Sequence, residues 1–508
     1  MHPLSCLLLL PILPAAAALM AGQLRGDHAA GLTAASAGLA LAIAVGRRVG
    51  YGVTALAVGL LAGFGVGPAT WSPSLPWLVL RWDLLSAVMV TLVAFLGLAI
   101  LRYSRRYLDG DPGQARFCGW LSATLASVLL LAVAGHLAVL IGAWIITSLC
   151  LHRLLLFYPQ RPGARFAARK KFVISRLGDA ALIAATVLLY RQYGTLEFDS
   201  LFAAVAARPD PVLSIVTALL GLCAMCKSAQ LPFHTWLPDT MDTPTPVSAF
   251  MHAGIINAGG FLLIRLAPVT AYSPGVMTGV AIIGALTAAF GAVVMLTQPA
   301  VKRALAYSTI AQMGFMIMQC GLGATGLALV HLVGHSLYKA HAFLNSGSTV
   351  GAVPRAAIPL SPGALGCGAG AAAVLVGGGM TIAHTGGPAA GVFALVTALA
   401  VAYALARRWS ATPGPGGALR ALPLGVLVIA VSLGLHRLAL AITPESAVIN
   451  PVGPVFVGLI FLALFFTQAF VWRAPHVPWA QRVYVHALNG FYLGTLANRQ
   501  LGRLWPRP

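Results

Sequence analysis

The protein is 508 residues long; 59% of its residues are hydrophobic and only 8% carry a charge. Soluble proteins carry roughly 25% charged residues, so a chain this apolar is not a soluble globular protein. It has room for many membrane-spanning helices, because each needs only about 20 apolar residues. A net charge of +21 would suit nucleic-acid binding in a soluble protein, but here it is typical of the basic cytoplasmic loops of a membrane protein.

Apolar runs between charged or Pro/Gly-rich breaks predict an all-α polytopic membrane protein with about 15 or 16 transmembrane helices. The first run has the apolar stretch of a signal peptide but lacks the basic start, so we assign it as the first helix. The run at 51–68 is rich in glycine and is either a span or a hairpin. In chain order the predicted spans are residues 4–20, 30–46, 51–68, 83–101, 118–134, 136–157, 172–190, 211–230, 244–266, 275–297, 303–320, 324–347, 363–384, 389–407, 420–441 and 453–472.

Basic and acidic connections alternate along the chain, and this alternation indicates the orientation. The connection at 157–171 is strongly basic, whereas the next one, 191–210, contains Glu197, Asp199 and Asp210. Because basic loops stay in the cytoplasm, we predict a multi-pass protein of the bacterial inner membrane whose C-terminus is cytoplasmic.

Lys227 lies near the end of an apolar span, and Pro232 follows five residues later. Proline cannot donate to the helix ladder, so the span is predicted to break there. A broken helix beside a buried ionisable group is typical of transporters, since the freed backbone groups line a polar cavity. The other reading is a lysine that extends its ammonium group to the membrane surface.

His331, His335 and Lys339 are spaced four residues apart, so they share one face of a helix. Three titratable groups on one face of an apolar span are costly in a membrane, and we interpret them as a path for protons. A metal site is a weaker reading, because the pair of histidines lacks a further ligand. His252, within the span at 244–266, is either a proton relay or a buried structural histidine.

Acidic residues are scarce, and three charged residues are candidates to support Lys227. Arg176 and Asp179 lie three residues apart on one helix face and can pair with each other. Alternatively, Asp179 is the acidic partner of Lys227. Asp239 follows Pro232 and is either such a partner or a solvated loop residue. No phosphate-binding loop, paired carboxylates or nucleophile motif stands out, and we predict neither catalysis, a metal site nor a cofactor on this chain.

Several segments resemble the antiporter-like subunits of respiratory complex I, subunit L above all, and their relatives in multisubunit Na⁺/H⁺ antiporters. The resemblance covers about 80–350 and implies a fold of inverted five-helix repeats with broken helices. It also implies a hydrated proton path at Lys227, His252, Lys302, His331, His335 and Lys339. The segments are Lys227-Ser-Ala-Gln-Leu-Pro-Phe-His-Thr-Trp-Leu-Pro-Asp239, Thr243-Pro-Thr-Pro-Val-Ser-Ala-Phe-Met-His-Ala253, Lys302-Arg-Ala-Leu-Ala-Tyr-Ser-Thr-Ile-Ala-Gln-Met-Gly314 and His331-Leu-Val-Gly-His-Ser-Leu-Tyr-Lys339.

One departure from that pattern concerns the acid that faces the key lysine. The complex I family carries a glutamate after the tryptophan of a Gly-Trp-Glu motif, whereas here Trp144 is followed by Ile145. The segments Ser148-Leu-Cys-Leu-His-Arg-Leu-Leu-Leu-Phe-Tyr-Pro159 and His486-Ala-Leu-Asn-Gly-Phe-Tyr492 resemble instead the DabB family, the membrane subunits of bacterial dissolved inorganic carbon (DAB) transporters. That resemblance implies a hetero-complex with a DabA-like soluble subunit, which carries zinc and resembles β-carbonic anhydrases.

These observations divide the chain into four regions and favour one function. We expect N-terminal membrane helices at 1–80, an antiporter-like proton-translocating core at 81–350 and further membrane helices at 351–472. The basic, aromatic tail at 473–508 suits either an interfacial helix or a docking surface. The resemblance implies that cation entry, by protons or Na⁺, energises CO₂ hydration on the partner and so bicarbonate accumulation.

Two other functions stay open from the sequence. One is a pumping or Na⁺/H⁺ antiporter subunit of a complex I, hydrogenase or multisubunit antiporter assembly. The other is a passive membrane anchor with a degenerate path, which Ile145 suggests because an acid is missing there.

Overall fold

The computed structural model describes residues 69–71, 77–349, 362–383, 388–411, 415–442, 450–473 and 477–504, and it is built almost wholly of α-helices. The predicted spans at 4–20, 30–46 and 51–68 lie outside the described residues. In chain order the helices are α1 Leu84–Tyr107, α2 Gln114–Ala132, α3 Leu137–Leu155, α4 Pro162–Tyr193, α5 Phe198–Ala207, α6 Val212–Lys227, α7 Trp236–Asp239, α8 Thr245–Ala253, α9 Ala258–Arg265, α10 Ala267–Thr270, α11 Pro274–Met295, α12 Val301–Gly321, α13 Thr325–Leu344, α14 Pro362–Ala383, α15 Pro388–Ala411, α16 Pro415–Ile442, α17 Val452–Arg473, α18 Pro478–Leu488 and α19 Leu493–Leu504.

The fold is that of an all-α polytopic membrane protein, as predicted. Every predicted span from 83–101 onward coincides with a helix, or with two in the case of α8 and α9. Within the described ranges, nine helical segments have the length and apolar composition needed to cross a membrane. Large apolar side chains such as Val187, Ile215 and Leu286 stand exposed on these helices, as expected where a helix faces lipid.

A short β-ribbon, which we did not predict, precedes α1. Strands β1 (Ala69–Trp71) and β2 (Leu80–Trp82) pair antiparallel, with Thr70 opposite Arg81. Asp83 then begins α1: its carboxylate accepts a hydrogen bond from the backbone N–H of Ser86 at 2.8 Å, which satisfies one of the free donors at the helix start.

The described residues form two compact units. The first contains α1–α9 and the second half of α13; in it α6 packs against α4 and α9, and α8 packs against α1. The second contains α11, α12, the first part of α13 and the helices from α14 onward. In the second unit α11 packs against α12 and α17, and α14 packs against α15 and α16.

The predicted break after Lys227 is present, and a second span is also broken. Helix α6 ends at Lys227, and Ala229 adopts a positive φ of 50° before the chain reaches Pro232. The span formed by α8 and α9 is interrupted by the 3₁₀ turn Ile255–Asn257. The amide of Asn257 stabilises this break by donating to the carbonyl oxygen of Ala253.

Helix α4 begins ten residues before the predicted span 172–190. The basic segment at its start was assigned to a loop, but the structure places it within the helix from Pro162 onward. Lys170 and Lys171 are each only 3% exposed. They are tolerated there because each ammonium group has polar partners, Asp239 for Lys170 and Ser148 for Lys171.

Helices α11 and α12 pack closely through glycines, which bring the two backbones into contact. A Cβ atom at Gly314 would lie 2.5 Å from the backbone nitrogen of Ala288 and 2.6 Å from the carbonyl oxygen of Gly284. Small residues allow such close approach between membrane helices. This contact positions α12, which carries the two glutamines described below.

We expect Gly314→Ala to destabilise the protein by about 1–3 kcal/mol, the usual cost of overpacking, because the obstructing atoms belong to backbone that cannot rotate away. Thermal unfolding of the purified protein in detergent measures the effect. Gly279→Ala on α11 is the matched control, since its Cβ would meet no atom within 4 Å. Equal melting temperatures for the two variants would contradict the prediction.

Candidate functional site

Lys227 lies at the end of α6, and its side chain is buried. The residue is 6% exposed, and its Nζ lies 4.5 Å from the ring centroid of Trp144 on α3. Among the described residues, Nζ has no hydrogen-bond acceptor. The face of an indole ring attracts a cation, and the attraction is strongest, at about 2 kcal/mol, when water is excluded. Trp144 is therefore the main described contact of this ammonium group.

Asp179, the acid predicted as a candidate partner of Lys227, contacts Trp144 and Arg176. The indole Nε1 of Trp144 donates to Asp179 Oδ1 at 3.1 Å, and Arg176 Nη2 lies 2.6 Å from Asp179 Oδ2. Asp179 thus pairs with Arg176, while Trp144 joins it to Lys227. The charges of Asp179 and Lys227 also attract each other. An acid is therefore present beside Lys227 although Ile145 stands where the complex I family has its glutamate.

His331 is held in the second unit by two glutamines of α12. Its Nδ1 lies 2.9 Å from Oε1 of Gln319, and its Nε2 lies 2.9 Å from Oε1 of Gln312. The ring lies at the wall of a cavity of about 360 Å³, which otherwise has mainly apolar walls and also contains Ser432 and His436. With a polar partner at each ring nitrogen, the imidazole is fixed in orientation and can bind a proton at either position.

Further along α13, His335 and Lys339 are buried in the first unit, with exposed fractions of 5% and 0%. The ring of Phe343, one turn beyond Lys339, stacks on His252 of α8 with the ring centroids 4.3 Å apart. His252 is completely buried. The structure therefore brings His252 beside the α13 segment that carries Lys339.

Asp239 and Lys302 are the remaining predicted site residues. Asp239 binds Lys170 of α4, with Nζ 2.8 Å from Oδ2, and its side chain is 32% exposed. Lys302 is half-buried in the first turn of α12.

Lys171 and Ser148 form a buried contact that sequence reasoning missed. Lys171 Nζ donates to the Ser148 carbonyl oxygen at 2.8 Å and lies 2.7 Å from Ser148 Oγ. Lys171 belongs to a run of basic residues that reads as a solvated loop, and only the contact with α3 distinguishes it from its neighbours. Ser148 stands one turn from Trp144, a spacing that offered a weak signal.

The loop after α3 is anchored at the basic end of the helix. The hydroxyl of Tyr158 donates to Asp111 Oδ2 at 2.6 Å, and the backbone N–H of Gly113 donates to Oδ1 at 2.7 Å. These two hydrogen bonds lower the pKa of the Asp111 carboxyl, the one from Tyr158 most strongly. The loops after α1 and α3 are thereby joined at the end of α3 that carries His152.

Two protein-family models match parts of this chain. Residues 134–357 match the family model described as NADH:quinone oxidoreductase/Mrp antiporter, and residues 77–118 match that of the N-terminus of complex I chain 5. The chain is similar to the Mrp complex structure from Dietzia sp. DQ12-45-1b, with a TM-score of 0.57, 22% identity, 98% of this chain covered and 57% of that one. This likeness shows a shared fold.

Two curated relatives are more similar in sequence. The probable inorganic carbon transporter subunit DabB2 of Halothiobacillus neapolitanus is 50% identical over 52% of this chain and 48% of its own, so this match spans about half of the relative. The probable inorganic carbon transporter subunit DabB of Hydrogenovibrio crunogenus is 36% identical over 83% of this chain and 82% of its own. The chain therefore belongs to the DabB family of inorganic carbon transporter subunits, within the wider family of antiporter-like membrane proteins.

Proposed function

We propose that the chain is the proton-conducting membrane subunit of a two-component inorganic carbon uptake complex. The observation that carries the proposal is the burial of four titratable side chains within apolar helices: Lys227, His252, His335 and Lys339. An ionisable group inside a membrane costs several kcal/mol, so its retention points to ion transfer. The broken helices α6 and α8–α9 support this function, since helix breaks expose polar backbone to a cavity.

The proposed path uses the resemblance and the geometry together. Lys227, with Trp144 and Asp179, forms one station, and the His331, His335 and Lys339 row on α13 forms another. Lys302 is assigned a place on the path by family resemblance alone. The arrangement suits stepwise transfer because histidine and lysine each accept and release one proton.

The reaction that this cation flux drives is proposed to take place on a partner subunit. The relatives are named as inorganic carbon transporter subunits, which supports a hetero-complex. We propose a DabA-like soluble subunit that binds zinc and hydrates CO₂, driven in one direction by cation entry through this chain. The basic connections support a cytoplasmic C-terminus in the bacterial inner membrane, and so a cytoplasmic partner.

Affinity purification of the tagged full-length chain from its native membrane tests the assignment. We expect a soluble, zinc-containing subunit to co-purify and the complex to take up protons into liposomes under an applied membrane potential, read with a pH-sensitive dye. A signal from a sodium-sensitive dye without one from the pH-sensitive dye would mean that the conducted cation is Na⁺. Co-purification with flavin or iron–sulfur subunits would instead support the complex I or hydrogenase alternative.

A further inference from the structure

A row of polar side chains runs along α3 from its basic end to Trp144 and Lys227, and His152, Ser148 and Lys171 have no place in the path proposed above. We propose that His152, Lys171 and Lys227 form a proton access branch, with Ser148, Trp144 and Asp179 as positioning residues. The branch would open on the side of the membrane that bears the loop after α3 and the basic start of α4. This inference rests on the proposed function and names the entrance through which Lys227 exchanges protons.

The spacing on α3 is the first argument. Trp144, Ser148 and His152 are four residues apart, so they form one face of the helix. That face meets α4 at two points: Ser148 contacts Lys171, and Trp144 contacts Asp179. Successive members of the row are about 6 Å apart along the helix axis, a separation that one bridging water or the movement of a long lysine side chain spans.

The change in burial along the row is the second argument. His152 is half-buried and its neighbour Arg153 is exposed, whereas Ser148 and Trp144 are only 2% and 1% exposed. The row therefore leads from the surface into the protein. Among the described residues, Nδ1 of His152 is buried and has no hydrogen-bond partner, while the backbone of Ala168 hydrogen-bonds to the ring. A buried ring nitrogen without a partner is unusual, and it suits an atom that binds a proton transiently.

The charges along the row provide a reason for transfer. Lys171 and Lys227 interact electrostatically and repel each other when both are charged. A proton taken up by His152 passes to the neutral amine of Lys171 and then to the neutral amine of Lys227, so that one proton moves and each donor is left neutral. Asp179 attracts the charge at both lysines. Trp144 holds Lys227 and Asp179 in place but carries no proton.

Proton flux through the reconstituted complex with His152→Ala tests the branch. We expect flux to fall by on the order of 100-fold, because a proton-transferring group is removed. Imidazole added to the buffer should restore most of it, whereas pyrazole, a ring of equal size and much lower basicity, should not. A residue that only shapes the helix would not respond to the basicity of an added ring. His152→Gln is the second variant, for use if the alanine variant assembles poorly, and it should show the same loss of flux.

Arg153→Ala is the control, since this neighbour is exposed and its guanidinium lies over the ring of Trp120. Its charge acts on His152 only by repulsion, so its removal does not hinder proton uptake there. It should retain wild-type flux. Wild-type flux in both His152 variants, or a loss that imidazole and pyrazole affect equally, would overturn the branch. Lys227→Ala distinguishes this failure from failure of the proposed function: if it blocks flux while the His152 variants conduct, only the branch falls.

Discussion

Replacing Lys227 with alanine is expected to reduce proton flux through the complex by on the order of 100-fold, the lower end of what a positioned proton-transfer group contributes. Nζ is the buried, titratable atom at the end of the broken helix α6, and the alanine methyl group binds no proton. The loss should appear both in the liposome assay and as lost bicarbonate uptake by cells that depend on the complex.

The assembled state must be checked, because removing a buried charge also alters packing. Alanine leaves the ring of Trp144 without its cation, a loss of about 2 kcal/mol, and the complex should still assemble and co-purify. Arg153→Ala again serves as the exposed control. Full bicarbonate uptake in the Lys227 variant would refute the proposed path and favour a passive anchor.

Replacing Asp179 with asparagine is expected to lower flux by tenfold or more. Asparagine keeps an oxygen that accepts the hydrogen bond from Trp144 Nε1, so the substitution removes the charge and preserves the geometry. At several ångströms and an effective dielectric constant of about 20, a unit charge contributes on the order of 2 kcal/mol. About 1.4 kcal/mol corresponds to a factor of ten, so losing the charge of Asp179 lowers the population of charged Lys227 by tenfold or more.

Asp109→Asn, which neutralises an exposed carboxylate in the connection after α1, is the control and should leave flux unchanged. Unchanged flux in Asp179→Asn, together with a blocked Lys227→Ala variant, would mean that the acid that serves Lys227 comes from elsewhere, such as the partner subunit. The comparison therefore decides whether the acid missing at Ile145 is replaced within this chain.

Much of the fold was predictable because a membrane constrains the sequence strongly. Each span needs a long apolar run, and the runs from 83–101 onward all coincide with helices. The break after Lys227 followed from Pro232, which removes a backbone donor. The start of α4 was misplaced because charge density looks the same in a solvated loop and in a helix whose lysines find partners.

The site was predictable only in part. The shared helix face of His331, His335 and Lys339 follows from spacing alone. The role of Gln312 and Gln319 does not, since they lie on another helix and glutamine is common in polar positions. Asp239 was a candidate partner of Lys227, but the structure pairs it with Lys170. Contacts between separate helices have no signature in a single sequence.

The sequence by itself determined the membrane-spanning class, the helix faces and the family resemblance, because hydropathy and helical periodicity act within single segments. Only the tertiary structure decided which charges meet. It placed Trp144 between Lys227 and Asp179 and buried Lys171 against Ser148. The physical reason is that a buried charge is tolerated only where partners from other helices converge on it, and that convergence is a property of packing.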